Sequence, residues 1–128
     1  MRILLDTHML IWFLNDPDLL PSQADKIIFD SANMIFVSSL SLWEIAIKKS
    51  IGKLELDLEI TLLEDICERS NLIVVAFQAS HALAVAHLEW HHKDPFDRGL
   101  IAQAQMDQMF LLTHDKVLAA YGTSVLIT

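Results

Sequence analysis

The chain has 128 residues, 53% of them hydrophobic, and a formal net charge of −8. That length suits one domain with a single core, and the apolar content excludes a disordered chain. The acidic balance excludes a protein that coats nucleic acid through a broad basic surface, but not an enzyme that acts on it.

Punctuation is sparse, with three glycines and three prolines, so element ends are read from capping residues. Ile3-Leu4-Leu5, apolar throughout and ended by Asp6, predicts a buried strand. His8 to Asn15 predicts a short buried helix stopped by Asp16-Pro17. Pro21-Ser22 opens a second helix with Ala24, Ile27, Ile28 and Ala32 on one face. Met34-Ile35-Phe36-Val37 is the second strand. Ser38, Ser39 and Ser41 then offer capping oxygens to a helix carrying Leu42, Ile45 and Ala46, closed by Gly52. A helix from about Glu59 to Ser70 bears Leu62, Leu63, Ile66 and Cys67 at helical spacing, with Cys67 read as a buried packing residue. Leu72-Ile73-Val74-Val75 is the third strand, and an alanine-rich helix is expected from Ala79 to about Trp90. After a polar loop, Asp94 and Pro95 start a helix running through Ala104. Phe110-Leu111-Leu112-Thr113 is the fourth strand, Asp115 to Ala120 a short helix ended by Gly122, and Val125-Leu126-Ile127 the last strand.

Strands that alternate with helices and are apolar on both faces imply a parallel sheet covered on both sides. The expected fold is α/β: a single domain over 1–128, a three-layer α/β/α sandwich around a mostly parallel sheet of four to five strands. No apolar run approaches the roughly 20 residues of a membrane span, and the start turns acidic at Asp6, too soon for a signal peptide. One cysteine excludes an internal disulfide and suits a reducing cytoplasm. A cytoplasmic protein without membrane contact is expected.

In such sheets ligands sit beyond the carboxyl ends of the strands. Asp6 ends strand one, Glu44 lies in the first turn of the helix after strand two, and Asp115 lies just past strand four, so pattern alone brings these acids to one edge. Asp97 follows a loop from a helix, and its place is less direct. Each has an ordinary use: Asp6 and Asp115 as helix caps, Asp97 as an acid in a first turn, and Glu44 as a partner of Lys48, a pair worth only ~0.3–0.5 kcal/mol. Asp6 is the most telling, because a carboxylate directly after Ile-Leu-Leu is partly desolvated and needs a cation or hydrogen-bond donors to stay ionised. An oxygen-only ligand set suits Mg²⁺ or Mn²⁺ rather than Zn²⁺, and such ions take phosphate esters as substrates. Lys48, Lys49 and Lys53 follow Glu44, Lys93 and Arg98 flank Asp97, and Lys116 follows Asp115. They are read either as guides for a polyanion or as solvated faces.

Four segments carry a resemblance: Leu5-Asp6-Thr7-His8; Ser38-Ser39-Leu40-Ser41-Leu42-Trp43-Glu44; Asp94-Pro95-Phe96-Asp97-Arg98-Gly99-Leu100-Ile101-Ala102-Gln103-Ala104; and Leu112-Thr113-His114-Asp115. In order and over essentially the whole chain, they resemble the PIN domain, in particular the VapC-type toxins of bacterial toxin–antitoxin pairs. The resemblance implies a Mg²⁺- or Mn²⁺-dependent ribonuclease, usually a homodimer, that takes RNA as substrate and is silenced by a small antitoxin protein. Carried onto this chain, it implies Asp6, Glu44, Asp97 and Asp115 as catalytic metal-site acids, with Thr7 and Thr113 supporting them by hydrogen bonds. Lys48, Arg98 and His114 are candidate substrate contacts. Gly99 departs from the pattern, standing where a leucine is common, and a mid-helix glycine costs roughly 1 kcal/mol relative to alanine.

The six histidines form no zinc pattern. His87 and His91 share a helical spacing, but no cysteine joins them and the string between them is not that of a zinc protease. Solvated or hydrogen-bonded roles are expected. Trp12, Phe13, Trp43 and Trp90 are read as packing residues rather than a base-stacking platform, with a partly exposed Trp12 or Trp43 at a dimer or antitoxin interface as the alternative. Two other functions fit the same length and charge: a receiver-like domain that accepts phosphate on an aspartate, and a silent PIN-like module that only binds a protein. The first would need an acceptor acid after a central strand, and the strand leading into Val75-Ala76-Phe77 has none.

Overall fold

The computed structural model describes all 128 residues. Five strands, β1 (Arg2–Leu5), β2 (Met34–Ser38), β3 (Ile73–Val75), β4 (Phe110–Thr113) and β5 (Val125–Ile127), form one sheet in the order β3-β2-β1-β4-β5. All four pairings are parallel; Leu4 stands opposite Phe36 on one side and Leu111 on the other. Successive side chains of a strand point to opposite faces, and here both faces are apolar. Ile3, Leu5, Ile35, Val37 and Leu112 join one core, while Leu4, Phe36 and Leu111 join the other.

Helices cover the two faces. The first core is closed by Met9, Leu10 and Ile11 of α1 (Thr7–Asn15), Ala24 and Ile28 of α2 (Ser22–Ile28), Ile45 of α3 (Ser39–Ser50), and Leu63 and Cys67 of α4 (Leu63–Arg69). The second is closed by Leu100, Ile101 and Ala104 of α6 (Pro95–Met106) with Leu40 and Leu118; α5 (Ala79–Ala84) packs outside α6. The α/β/α arrangement follows from the strand pattern: a strand apolar on both faces has to be covered twice. The order also removes the receiver-like alternative, whose doubly wound sheets run 2-1-3-4-5.

Three expectations shift. The second helix ends at Ile28, so Ala32, expected on its apolar face, lies in the turn before β2. The helix expected to reach Trp90 ends at Ala84, and a 3₁₀ turn at Val85–His87 follows. The carbonyls of Val85, Leu88 and Glu89 accept from the Arg98 guanidinium, the Glu89 contact being the shortest at 2.8 Å. The short helix after Asp115 is 3₁₀ over Lys116–Tyr121.

Gly99 sits where α6 crosses α3. A Cβ there would lie 2.5 Å from Leu40 Cδ2 and 3.3 Å from Phe77 Cζ, so the glycine serves a close helix approach.

Candidate metal centre

Chain order reverses between β1 and β4: β2 and β3 extend the sheet on one side, β5 on the other. A crevice beyond the carboxyl ends forms at such a point, and Asp6 stands in it. Its backbone N–H continues the ladder to the Leu112 carbonyl at 3.0 Å. Oδ1 accepts from the Met9 N–H at 2.8 Å, which caps α1, and Oδ2 accepts from the Thr113 hydroxyl. The residue is 4% exposed. Burial pushes its carboxyl above the usual range and the charge of Glu44 pushes the same way, against Thr113, Met9 and His8.

Glu44 lies in the second turn of α3 rather than the expected first, because the helix already starts at Ser39 under the Ser38 cap, and it is equally buried. Its Oε2 pairs with Lys48 Nζ at 2.6 Å, whereas Oε1 is buried without a partner. Asp97 lies in the first turn of α6, where Asp94 Oδ1 accepts from the Phe96 and Asp97 N–H groups at 2.9 and 3.2 Å. Its carboxyl is pushed up to about 6, first by burial and then by the charges of Asp94 and Asp6; His92, with Nε2 3.3 Å from Oδ2, opposes this. Asp115 is exposed and caps the 3₁₀ turn through Val117 at 3.0 Å. Its own N–H donates to Thr113 Oγ1 at 3.0 Å, so one threonine hydroxyl links Asp6 to Asp115. Asp6 and Asp115 line a cavity of about 180 Å³ with His8, Trp12 and His114.

Asp6 is thus the hub: it feels Glu44, acts on Asp97 and shares a cavity with Asp115. No three acidic or histidine side chains are grouped to hold one ion together in this structure. Three of the acids are turned toward partners of their own, Glu44 to Lys48, Asp97 to His92 and Asp115 to Val117. The chemistry of the set nevertheless fits a hard divalent cation. The donors are carboxylate oxygens, Glu44 Oε1 is an orphaned buried acceptor, and a cation would offset the repulsion and desolvation on Asp6 and Asp97.

A model of the PIN domain matches residues 3–123. The chain belongs to the PIN domain family. No curated protein matches the sequence. Among solved structures, the chain is similar to one in VapBC2 from Rickettsia felis bound to a promoter DNA fragment, with 18% identity, a TM-score of 0.70, and coverage of 100% of this chain and 98% of that one. It is also similar to one in DNA-bound VapBC from Salmonella typhimurium, with 15% identity, a TM-score of 0.65, and coverage of 100% and 97%. A chain of FitAcB from Neisseria gonorrhoeae matches with 17% identity, a TM-score of 0.59, and coverage of 97% and 96%. At these identities the likeness establishes a shared fold.

Several site expectations for this PIN domain need correction. Thr7 does not touch an acid: its hydroxyl donates to Ser41 Oγ at 3.1 Å and ties α1 to α3. Arg98 does not face the cleft. It is 2% exposed, and its guanidinium is taken up by the Val85–Glu89 carbonyls, Tyr121 and the Trp90 ring. Lys48 is partly exposed but bound to Glu44, and His114 lines the small cavity against Trp12. Trp43 and Trp90 are not core residues; they are 60% and 76% exposed and border an apolar groove.

Sequence reasoning missed His92 and Tyr121, which reach Asp97 as a connected pair. Their separation of 29 residues leaves no local signal. His81 is likewise structural: Nδ1 accepts from the Gln78 N–H at 2.9 Å and Nε2 lies 3.0 Å from Asp107.

Proposed function

We propose that this PIN domain is a Mg²⁺- or Mn²⁺-dependent endoribonuclease of the VapC type, the toxin of a toxin–antitoxin pair. The observation that carries the reading is the buried carboxylate Asp6 at the β1/β4 crevice, with the orphaned Oε1 of Glu44 and the raised carboxyl of Asp97 as its electrostatic neighbours. Asp6, Glu44, Asp97 and Asp115 would hold the ion. When bound, it activates water for attack on a phosphodiester and stabilises charge on the leaving oxygen.

The chain's own groups do the positioning. Thr113 fixes Asp6 and the backbone of Asp115 through one hydroxyl. Asp94 fixes the first turn that carries Asp97. Lys48 holds Oε2 of Glu44 in a 2.6 Å ion pair and leaves Oε1 without a partner. RNA as substrate and a homodimeric state rest on the family resemblance, and a cytoplasmic setting rests on the single cysteine of the sequence. The antitoxin partner is further supported by the likeness to a chain of a toxin–antitoxin complex from Klebsiella pneumoniae, with 18% identity, a TM-score of 0.62, and coverage of 97% of this chain and 95% of that one.

The test is cleavage of labelled RNA by purified protein with MgCl₂ or MnCl₂. Activity is expected with either ion and none in EDTA. Asp6→Asn should abolish cleavage while leaving the circular dichroism spectrum unchanged, and growth arrest on expression should be relieved by the same change. Full cleavage by Asp6→Asn would sink the reading.

A further inference from the structure

Arg98 is buried, yet none of the chain's ion pairs includes it. Its guanidinium lies 4.0 Å from the Trp90 ring centroid, donates to the Glu89 carbonyl at 2.8 Å and donates to Tyr121 Oη at 2.9 Å. A guanidinium can only donate, so the phenolic oxygen accepts at that contact and its single proton is free for another acceptor. His92 Nδ1 lies 2.8 Å from the same oxygen. With Nδ1 accepting, the proton of the neutral ring sits on Nε2, which faces Asp97 Oδ2 at 3.3 Å. The opposite tautomer would strand the Tyr121 proton and set a bare nitrogen lone pair against a carboxylate oxygen. The His91 ring meets Tyr121 edge-on at 4.7 Å and braces it.

We propose that Arg98, Tyr121 and His92 form a directed hydrogen-bond chain that orients the Asp97 carboxylate for a divalent cation, with His92 and Tyr121 as positioning residues. Each donor points the same way, from the permanent cation toward the carboxylate, so each bond polarises the next. The chain also gives Arg98 a purpose that the substrate reading lacked: it anchors the far end while holding the 85–89 carbonyls. Outer partners of metal ligands typically change metal affinity by about 10–100-fold when removed. The proposal deepens the metal-site reading and rests on it for the effect on affinity, whereas the tautomer of His92 is independent of it.

The experiment combines ¹⁵N NMR of the imidazole nitrogens at pH 8 in metal-free full-length protein with calorimetric titration of Mn²⁺. His92 is expected as the Nε2-protonated tautomer; the Nδ1-protonated form would overturn the chain. Tyr121→Phe should weaken Mn²⁺ binding about tenfold and mix the tautomers. His92→Ala should lose at least as much, while His92→Gln, which places an N–H near the position of Nε2, should recover most of it. Equal Mn²⁺ affinity in the parent and in folded His92→Ala and Tyr121→Phe would overturn the proposal. Should Tyr121→Phe fail to fold, the Gln and Ala variants at His92 make the same comparison. A parent that binds no Mn²⁺ would overturn the service to a cation together with the metal reading, and a Nε2 tautomer in that protein would show that the metal reading was what failed.

Discussion

Replacing Asp97 with asparagine should stabilise the metal-free protein at neutral pH. The carboxyl moves from 3.8 to about 6 on folding, which at about 1.4 kcal/mol per unit corresponds to roughly 3 kcal/mol. Its side chain is 22% exposed, and solvent screening brings the working figure to about 2 kcal/mol. The folded-state pKa is raised, so the folded protein holds this proton where the unfolded chain has lost it. The group is therefore least costly below about pH 4, and stability declines as pH rises from there through about 6. Asparagine keeps an oxygen to accept from His92 and keeps its place in the Asp94 cap, but carries no charge to desolvate. In urea titrations with EDTA, the variant should equal the parent near pH 4 and exceed it by about 2 kcal/mol at pH 8. For a chain of this size that is roughly 6 °C in Tm. Saturating Mn²⁺ should close or reverse the gap, because only the parent retains that ligand. A variant less stable than the parent at pH 8, or a difference that does not change with pH, would refute the electrostatic account of Asp97.

Lys48→Met should destabilise metal-free protein by about 1–2 kcal/mol in urea, since it leaves the buried Glu44 without its 2.6 Å partner; the figure is below that of a fully buried pair because Lys48 is partly exposed. Gly99→Ala should cost about 1 kcal/mol despite the better helix propensity, because its methyl would meet Leu40 Cδ2 at 2.5 Å. The same change in a Leu40→Ala background should cost less, and additive losses would contradict the packing account. Arg98→Lys should lose about 2–3 kcal/mol in thermal unfolding, since an ammonium cannot both stack on Trp90 and span Glu89 and Tyr121. An unchanged Tm would show that the guanidinium is not holding the 85–90 turn.

Much of the architecture was legible because the signals are local. Ile3-Leu4-Leu5 before Asp6 and Asp94-Pro95 before a helical run describe a strand end and a helix start within a few residues, and both stand where expected. The alanine-rich run after Ala79 went the other way. Its propensity favours helix to Trp90, but the helix ends at Ala84, and the Leu88 and Glu89 carbonyls accept from Arg98 of the next helix. Helical spacing points Trp43 and Trp90 toward the core, but spacing does not tell a buried face from one that borders an open groove.

The chain by itself determined a parallel α/β sheet, because strands apolar on both faces have to be covered twice. It also carried Asp6, Glu44 and Asp115 to one edge, because they follow the strands that define it. Tertiary structure alone decided how each acid is held. Thr113 joins Asp6 to Asp115 because β1 and β4 are neighbours across 107 residues of sequence. Lys48 takes one oxygen of Glu44 and leaves the other buried and bare. Asp97 receives its partner from Tyr121 and His92, which no periodicity connects. Hydrogen bonds of this kind depend on distances between elements that pack only after the sheet has formed, and a sequence pattern records the elements, not those distances.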